Sequence, residues 1–79
     1  MEKVMKRKGG AVIIKETEFQ GKHYVDIRYH YEDKTSGDLK PTQKGVSLTY
    51  REFVKLFRFI KECKNDEQFM ENLEAFKDE

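Results

Sequence analysis

The sequence is poor in the residues that usually reinforce small proteins. Its 79 residues include one cysteine, Cys63, and two histidines, His23 and His30. One thiol cannot form an internal disulfide, and without a second thiol the two histidines cannot complete a zinc-type cluster. We therefore expect no metal and no cofactor, and a reducing, cytoplasmic location. Oligomerisation remains as the means of reinforcing a thin core.

Long apolar runs and catalytic patterns are also missing. No stretch approaches the roughly 18 apolar residues of a membrane-spanning helix, and the N-terminus has no apolar segment of the signal-peptide type. No Ser-His-Asp or Cys-His constellation stands in a supporting motif, and no glycine-rich phosphate loop occurs. We expect a protein with no membrane attachment, no small-molecule substrate and no catalytic residue, and therefore not an enzyme.

Charge is nearly balanced in total but divided along the chain. There are 16 Lys and Arg against 15 Asp and Glu, and residues 66–79 hold six of the acids and one base. Residues 1–65 therefore carry a net charge of +6, from 15 bases and 9 acids. A basic body favours polyanionic partners through counterion release, although many proteins with this charge bind none.

Four segments have patterns typical of β-strands: residues 11–19, 22–31, 39–42 and 45–48. The first is rich in β-branched residues, and the second alternates strictly between an apolar and aromatic face and a polar face. The third contains Pro41, which cannot donate to a ladder, so we expect a short or edge strand there. Residues 1–10 combine a basic cluster with a glycine pair, and they predict a flexible basic arm.

A long helix should follow the strands. Thr49 and Glu52 have the spacing of a capping box, which predicts a helix from about Tyr50. On a helical wheel its apolar residues spread over roughly 220°, about twice the width of an ordinary core-facing stripe. Because a soluble monomer would not leave such a band exposed, we predict a homodimer. The predicted interface residues are Phe53, Leu56, Phe57, Phe59 and Ile60.

The domain organisation follows from these elements. We predict a basic arm over residues 1–10, a sheet-and-helix domain over residues 11–64, and an acidic C-terminal helix over residues 65–79. In the last segment, apolar residues such as Phe69 and Leu73 fall at helical spacing and acids occupy the other positions.

Basic and aromatic residues gather on the predicted strands and their turns. They are Lys15, Phe19, Lys22, Arg28, Tyr31, Lys40 and Lys44. Single-stranded nucleic acids are held by such a combination, because bases stack on aromatic rings while Lys and Arg follow the phosphates. The alternative is that the aromatics fill a core or turn and the lysines only solvate a sheet. Spacing alone does not separate the two interpretations.

A longer ordered pattern covers residues 19–53, which read FQGKHYVDIRYHYEDKTSGDLKPTQKGVSLTYREF. An aromatic residue precedes a Gly-Lys turn, and an aliphatic-Asp-Ile-Arg strand ends in aromatics. A polar loop, a Lys-Pro-x-x-Lys-Gly hairpin, an aliphatic-Ser-Leu strand and an aromatic helix follow. This order and spacing resemble the transcriptional coactivator family positive cofactor four. The similarity is tight over nearly half of the chain and looser over residues 11–63.

The resemblance implies an α+β fold with a four-stranded curved antiparallel sheet and a long helix, to which this chain adds the short C-terminal helix. It also implies a homodimer built largely through the long helix. The expected ligand is single-stranded DNA, with RNA as the alternative, bound with little sequence specificity in transcription regulation, replication or repair. Phe19 and Tyr31 become the stacking residues. The phosphate contacts become Lys15, Lys22, Arg28, Lys40 and Lys44.

The sequence departs from the family pattern at particular positions. Tyr31 stands where a Trp is usual and has a smaller π-face, and Gln43 stands where a base is common. Alternation places Tyr31 on the face of Val25, so it reaches a ligand only if the strand twists or bulges. A dimeric protein-interaction adaptor that keeps the fold is therefore a second hypothesis. About ten basic and glycine residues precede the looser similarity over residues 11–63, where eukaryotic members have a long regulatory region, which suggests a minimal, bacterial-type member.

Overall fold

The computed structural model describes residues 1–77, which form one antiparallel sheet followed by two helices. The strands lie side by side in chain order as β1 (Glu2–Arg7), β2 (Gly10–Phe19), β3 (Lys22–Glu32) and β4 (Leu39–Thr49). The helices are α1 (Tyr50–Cys63) and α2 (Glu67–Phe76). The predicted α+β class, the four-stranded antiparallel sheet and the two helices are confirmed, but the strands that make up the sheet differ from the predicted four. The last two residues of the predicted acidic segment, Asp78 and Glu79, lie outside the described residues.

The first strand corrects the expectation of a flexible arm over residues 1–10. β1 pairs with β2 along its whole length, up to Arg7 opposite Gly10. The two-residue turn between them contains Gly9 at a φ of 83°, which glycine adopts without strain. All six residues of β1 are exposed. The basic cluster therefore belongs to an edge strand, where lysines also discourage pairing with other chains.

The two short strands expected over residues 39–42 and 45–48 are a single strand, β4. Its register against β3 shifts between Gly45, which lies opposite Arg28, and Pro41, which lies opposite His30. Residues 42–44 therefore form a bulge in β4. Because β4 is an edge strand, the missing N–H of Pro41 costs little, as expected.

The bulge is held by hydrogen bonds and by one close approach of the backbone. The Thr42 hydroxyl donates to the carbonyl oxygen of Tyr29 at 2.7 Å and accepts from the Lys44 N–H at 3.1 Å. A Cβ at Gly45 would lie 2.6 Å from the carbonyl oxygen of Ile27. Only glycine lets β4 approach β3 so closely at the point where the bulge begins.

The two faces of the sheet have different neighbours. We call the face that carries α1 the helix face; it includes Val25, which lines a cleft with Phe53 and Val54 of α1. The Tyr50 hydroxyl donates to Glu16 Oε2 on the same face at 3.1 Å. We call the opposite side the open face. Strand pairing assigns to it Ile13, Lys15, Thr17 and Phe19 of β2 and Lys22, Tyr24, Asp26 and Arg28 of β3.

The caps of both helices follow from short-range sequence. The Thr49 hydroxyl accepts from the Glu52 N–H at 3.1 Å, and Glu52 Oε1 accepts from the Thr49 N–H at 3.0 Å, which confirms the predicted capping box. The hydrogen bond from the Thr49 backbone also lowers the pKa of Glu52. Asp66 caps α2 by accepting from the Phe69 N–H at 2.9 Å.

The core is thin. The buried hydrophobic residues of the described chain are Ala11, Ile13 and Val25, and α1 contributes none. No helix within residues 1–77 is long and apolar enough to cross a membrane.

Candidate nucleic-acid interface

A tight turn brings an exposed aromatic ring next to a lysine. Gln20 and Gly21 connect β2 to β3 with φ angles of 52° and 76°, so both turn residues are left-handed, as in a type I′ hairpin. The turn places Phe19 opposite Lys22 on the open face. The Phe19 residue is 65% exposed, which leaves its ring free to stack on a flat ligand.

The centre of the open face is a polar network around Asp26. Arg28 donates from Nε to Asp26 Oδ2 and from Nη2 to Oδ1, each at 3.1 Å, and Ser47 Oγ donates to Oδ1 at 2.8 Å. Burial by itself would raise the pKa of Asp26. The hydrogen bonds from Arg28 and Ser47, together with the nearby positive charges of Arg28 and Lys15, outweigh burial and lower the pKa.

Arg28 is therefore fixed within the protein. Its third bond runs from Nη1 to the carbonyl oxygen of Thr42 at 2.9 Å, inside the bulge of β4. Its side chain is 22% exposed, and its charge is neutralised by Asp26. Arg28 therefore links β3 to β4, and its charge is not free for a ligand. Lys15, opposite Asp26 in the β2–β3 register, and Lys22 are the other predicted bases on this face.

The remaining three predicted contact residues lie elsewhere. Tyr31 pairs with Lys40, and the β2–β3 register is unbroken as far as Tyr31, so Tyr31 stays on the helix face. A bulge in β3 would have moved Tyr31 to the open face, but the bulge lies in β4 and includes Lys44. Tyr31 is 43% exposed near the end of β3, far along the strand from Lys22.

The seven predicted residues thus form two groups. The open-face group consists of Lys15, Phe19, Lys22 and Arg28, and the loop-end group consists of Tyr31, Lys40 and Lys44. Phe19 and Lys22 lie at the turn end of the sheet and the loop-end group at the other end, while Arg28, which bonds to Thr42 in the bulge that includes Lys44, lies between them.

Lys40 of the loop-end group is held by the β3–β4 loop. Its Nζ lies 2.7 Å from Asp33 Oδ2, while Asp33 Oδ1 accepts from the backbone N–H groups of Thr35 at 2.8 Å and Ser36 at 3.4 Å. The hydrogen bond from Lys40, followed by the one from the Thr35 backbone, lowers the pKa of Asp33. The charge of Lys40 is therefore already compensated.

One contact beside the loop-end group was missed in the sequence. The Arg7 guanidinium lies 4.5 Å from the ring centre of Tyr29, a cation–π contact between β1 and β3. Residues Glu2–Arg7 do not alternate between charged and apolar types, so the glycine pair that follows, which can mark a hairpin turn, was the signal that could have revealed β1.

The predicted interface residues differ in what they contact. Phe53 and Leu56 are half-buried, whereas Phe57, Phe59 and Ile60 are 50%, 59% and 51% exposed. Phe53 faces the sheet, and Leu56, Phe59 and Ile60 line an apolar groove with α2. Across residues 1–77, no three His, Cys, Asp or Glu side chains are grouped so as to hold a metal ion.

Together these features define a small α+β module with one open antiparallel sheet, helices after the last strand, and a basic and aromatic open face. A family model described as Transcriptional Coactivator p15 (PC4) matches residues 8–58. The chain belongs to this family of DNA-binding transcriptional coactivators, which is the family that the sequence pattern resembles.

A curated relative comes from Caenorhabditis elegans and is named "Putative RNA polymerase II transcriptional coactivator". It is 39% identical over 46 residues, which are 58% of this chain and 37% of the relative. The match thus spans little more than a third of the length of that protein.

Solved structures share the fold. A PC4 homolog from Burkholderia pseudomallei has a TM-score of 0.68 at 20% identity, over 81% of this chain and 86% of the other. A bacteriophage T5 homolog of PC4, described as implicated in recombination-dependent DNA replication, has a TM-score of 0.64 at 24% identity. That match covers 98% of this chain and 93% of the phage protein. At these identities the similarity shows the fold alone.

Proposed function

We propose that this protein is a homodimeric single-stranded DNA-binding protein of the cytoplasm, with little sequence specificity, that acts in transcription, replication or repair. It is a binding module and not an enzyme. The observation that carries the proposal is the exposed Phe19 ring beside Lys22 on the open face. Family membership supports the choice of DNA, and the phage relative supports a role outside transcription as well.

The chemistry of the open face favours a single strand. Stacking on an aromatic ring needs a base whose face is accessible, and in a duplex those faces are covered by neighbouring bases. Such stacking contributes about 1–3 kcal/mol per base with little dependence on base identity. Lys15 and Lys22 supply charges on the same face for the phosphates, which adds affinity that decreases with salt.

The homodimer is supported by the surface of the single chain. The accessible surface is 6971 Å², whereas a compact monomer of 9.5 kDa exposes roughly 5,000 Å². The excess exceeds the roughly 800 Å² that each partner buries in a standard interface. The radius of gyration, 15.2 Å, is likewise larger than the roughly 12 Å of a compact chain of this length. A second subunit would cover the exposed side of α1.

A second candidate function is a dimeric protein-interaction adaptor that does not bind nucleic acid strongly. Arg28 and Lys40 are already paired with Asp26 and Asp33, and Tyr31 lies on the helix face. These three observations reduce the number of free contacts for a strand. A gel shift with single-stranded and double-stranded DNA separates the two functions, because an adaptor shifts neither.

The direct test removes the free charges of the open face. In Lys15→Ala/Lys22→Ala, we expect weaker binding to oligo-dT and a salt slope reduced by about 0.7 for each lost phosphate contact. The matched control is Lys3→Ala/Lys77→Ala, which removes one lysine from the helix face of β1 and one from the end of α2 and should leave the slope unchanged. If both double variants behave alike, the open face is not the binding site.

The loop-end group needs its own variant. Lys40→Ala/Lys44→Ala should also lower affinity for oligo-dT and its salt slope if these lysines extend the site. If affinity and slope stay unchanged while Lys15→Ala/Lys22→Ala weakens binding, Lys40 and Lys44 do not contact the strand and the site is confined to the open face.

A further inference from the structure

We propose that α2 of each subunit packs against α1 of the other subunit, so that the acidic row of α2 faces the basic row of α1 across the dimer. The occupant of the exposed apolar surface of α2 is thus a second copy of this chain. This inference rests on the proposed homodimer and goes beyond it, because α2 follows the matched family region, residues 8–58.

The apolar surface of α2 supports this packing. Its apolar residues remain well exposed: Phe69 by 43%, Met70 by 38%, Leu73 by 51% and Phe76 by 60%. Three of them line the apolar groove with Leu56, Phe59, Ile60 and Cys63 of α1. This groove is continuous with the predicted interface residues of α1, so a partner that covers α1 would also contact α2.

The charges of the two helices support the same packing. Residues 50–64 hold five bases and two acids, whereas residues 66–77 hold four acids and one base. The bases of α1 include Lys55 and Arg58, and the acids of α2 include Glu71 and Glu74. None of the ion pairs within residues 1–77 joins α1 to α2 of the same chain. Glu74 pairs with Lys77 at the end of α2, 2.7 Å away, and an exposed pair of this kind contributes little. The opposite charges of α1 and α2 therefore remain for a partner.

In a dimer with two-fold symmetry, the contact between α2 and α1 occurs twice. In an isologous dimer, each α2 contacts the other subunit's α1, so the same acid-to-base match forms at both ends of the interface. Exposed ion pairs each contribute at most about 1 kcal/mol, so apolar burial supplies most of the affinity and the charges select the orientation.

Two charge-reversal variants test the arrangement. Glu71→Lys/Glu74→Lys makes both helices basic, and Lys55→Glu/Arg58→Glu makes both acidic, so each variant alone should dimerise at least about 10-fold more weakly than the parent. Mixed in equal amounts, they should form a heterodimer within about 3-fold of the parental dissociation constant. Sedimentation of differently labelled chains measures both. Glu18→Lys/Glu32→Lys, with the same charge change on the sheet, is the control and should dimerise like the parent.

The outcomes separate this inference from the homodimer itself. If the parent dimerises and both reversal variants dimerise equally well, α2 is not in the interface. If both reversal variants dimerise more weakly and mixing them does not restore dimerisation, the charges pair within one chain. The inference is overturned in that case as well. A monomeric parent overturns the homodimer and this inference together.

If circular dichroism shows that the reversal variants do not fold, Glu71→Gln/Glu74→Gln and Lys55→Gln/Arg58→Gln replace them. Each should dimerise several-fold more weakly than the parent, and unchanged dimerisation overturns the inference.

Discussion

Single side chains on the sheet divide into free groups and groups that the protein already uses. Phe19 is 65% exposed, Lys22 forms no ion pair within residues 1–77, and a left-handed turn holds the two side by side. Arg28 and Lys40 have the residue types of phosphate contacts, but each is paired with a carboxylate of its own chain. Residue type alone therefore overstates the number of contacts available to a ligand.

The most direct consequence at this scale concerns the aromatic residues. Phe19→Ala should weaken binding to oligo-dT by about 5- to 150-fold, because it removes one stacking platform worth about 1–3 kcal/mol. Tyr31→Ala should have a smaller effect, since Tyr31 lies on the helix face. Fluorescence anisotropy with a labelled strand measures both. A larger loss for Tyr31→Ala would mean that the loop-end group is the principal site.

The ion pair between Asp33 and Lys40 predicts that removing the charge of Asp33 increases the affinity for DNA. Asp33→Asn keeps an oxygen that can accept from the Thr35 N–H but removes the charge that holds Lys40. The released lysine should raise oligo-dT affinity by about 2- to 5-fold, the range of an exposed ion pair, and steepen the salt slope by about 0.7. Glu32→Gln, an exposed neighbour, loses the same charge and is the control. Equal behaviour of the two variants would contradict a specific role for Asp33.

The network around Asp26 predicts a pH dependence of stability. Because the pKa of Asp26 is lowered on folding, the unfolded chain binds its proton more readily. The resulting stability is fully present above the unfolded pKa of about 3.9 and is lost as pH falls through the lower folded value. Asp26→Asn should lower the free energy of unfolding at neutral pH by about 1.5–3 kcal/mol and flatten the acid limb of the stability curve. Urea denaturation from neutral pH to about pH 2 tests this, and an unchanged acid limb would contradict it.

At the scale of elements, local signals were predictable and non-local ones were not. The start of α1 followed from Thr49 and Glu52, because a capping box involves residues three positions apart. The Gln20-Gly21 turn was equally local. β1 was missed because its residues are all exposed and its pairing with β2 leaves little trace in composition. The joining of two short strands into β4 depends on a bulge that Arg28 and Thr42 hold from different strands.

The cap of α1 gives a test at this scale. Thr49→Ala removes the hydroxyl that accepts from the Glu52 N–H, and it should lower the free energy of unfolding by about 0.5–2 kcal/mol. Thr49→Ser keeps the hydroxyl and should be nearly neutral. Thermal denaturation compares the two. Equal losses for both variants would show that packing of the threonine methyl group, and not capping, is what matters.

For the whole molecule, patterns in the sequence predicted the fold class and an uncovered helix, whereas the assignment of site residues to the two faces of the sheet depended on the strand register. The apolar arc of α1 predicted an uncovered helix, and Phe57, Phe59 and Ile60 are indeed exposed. Alternation correctly kept Tyr31 with Val25 on one face. The pairing of Lys40 with Asp33 could not be foreseen, because it depends on how the intervening loop folds.

The central claim is that the open face binds single strands through stacking and free lysines. It is tested most directly by anisotropy titrations of labelled single-stranded DNA, single-stranded RNA and duplex DNA between about 50 and 200 mM salt. Single-stranded DNA should bind more tightly than the duplex. Each subunit has two open-face lysines, Lys15 and Lys22, that form no ion pair within residues 1–77, so a dimer offers four. The logarithmic salt slope for single-stranded DNA should be about −3, a loss of roughly 50-fold over that range. The RNA titration decides between the two single-stranded ligands. Equal or tighter binding of the duplex, or an affinity independent of salt, would contradict the account.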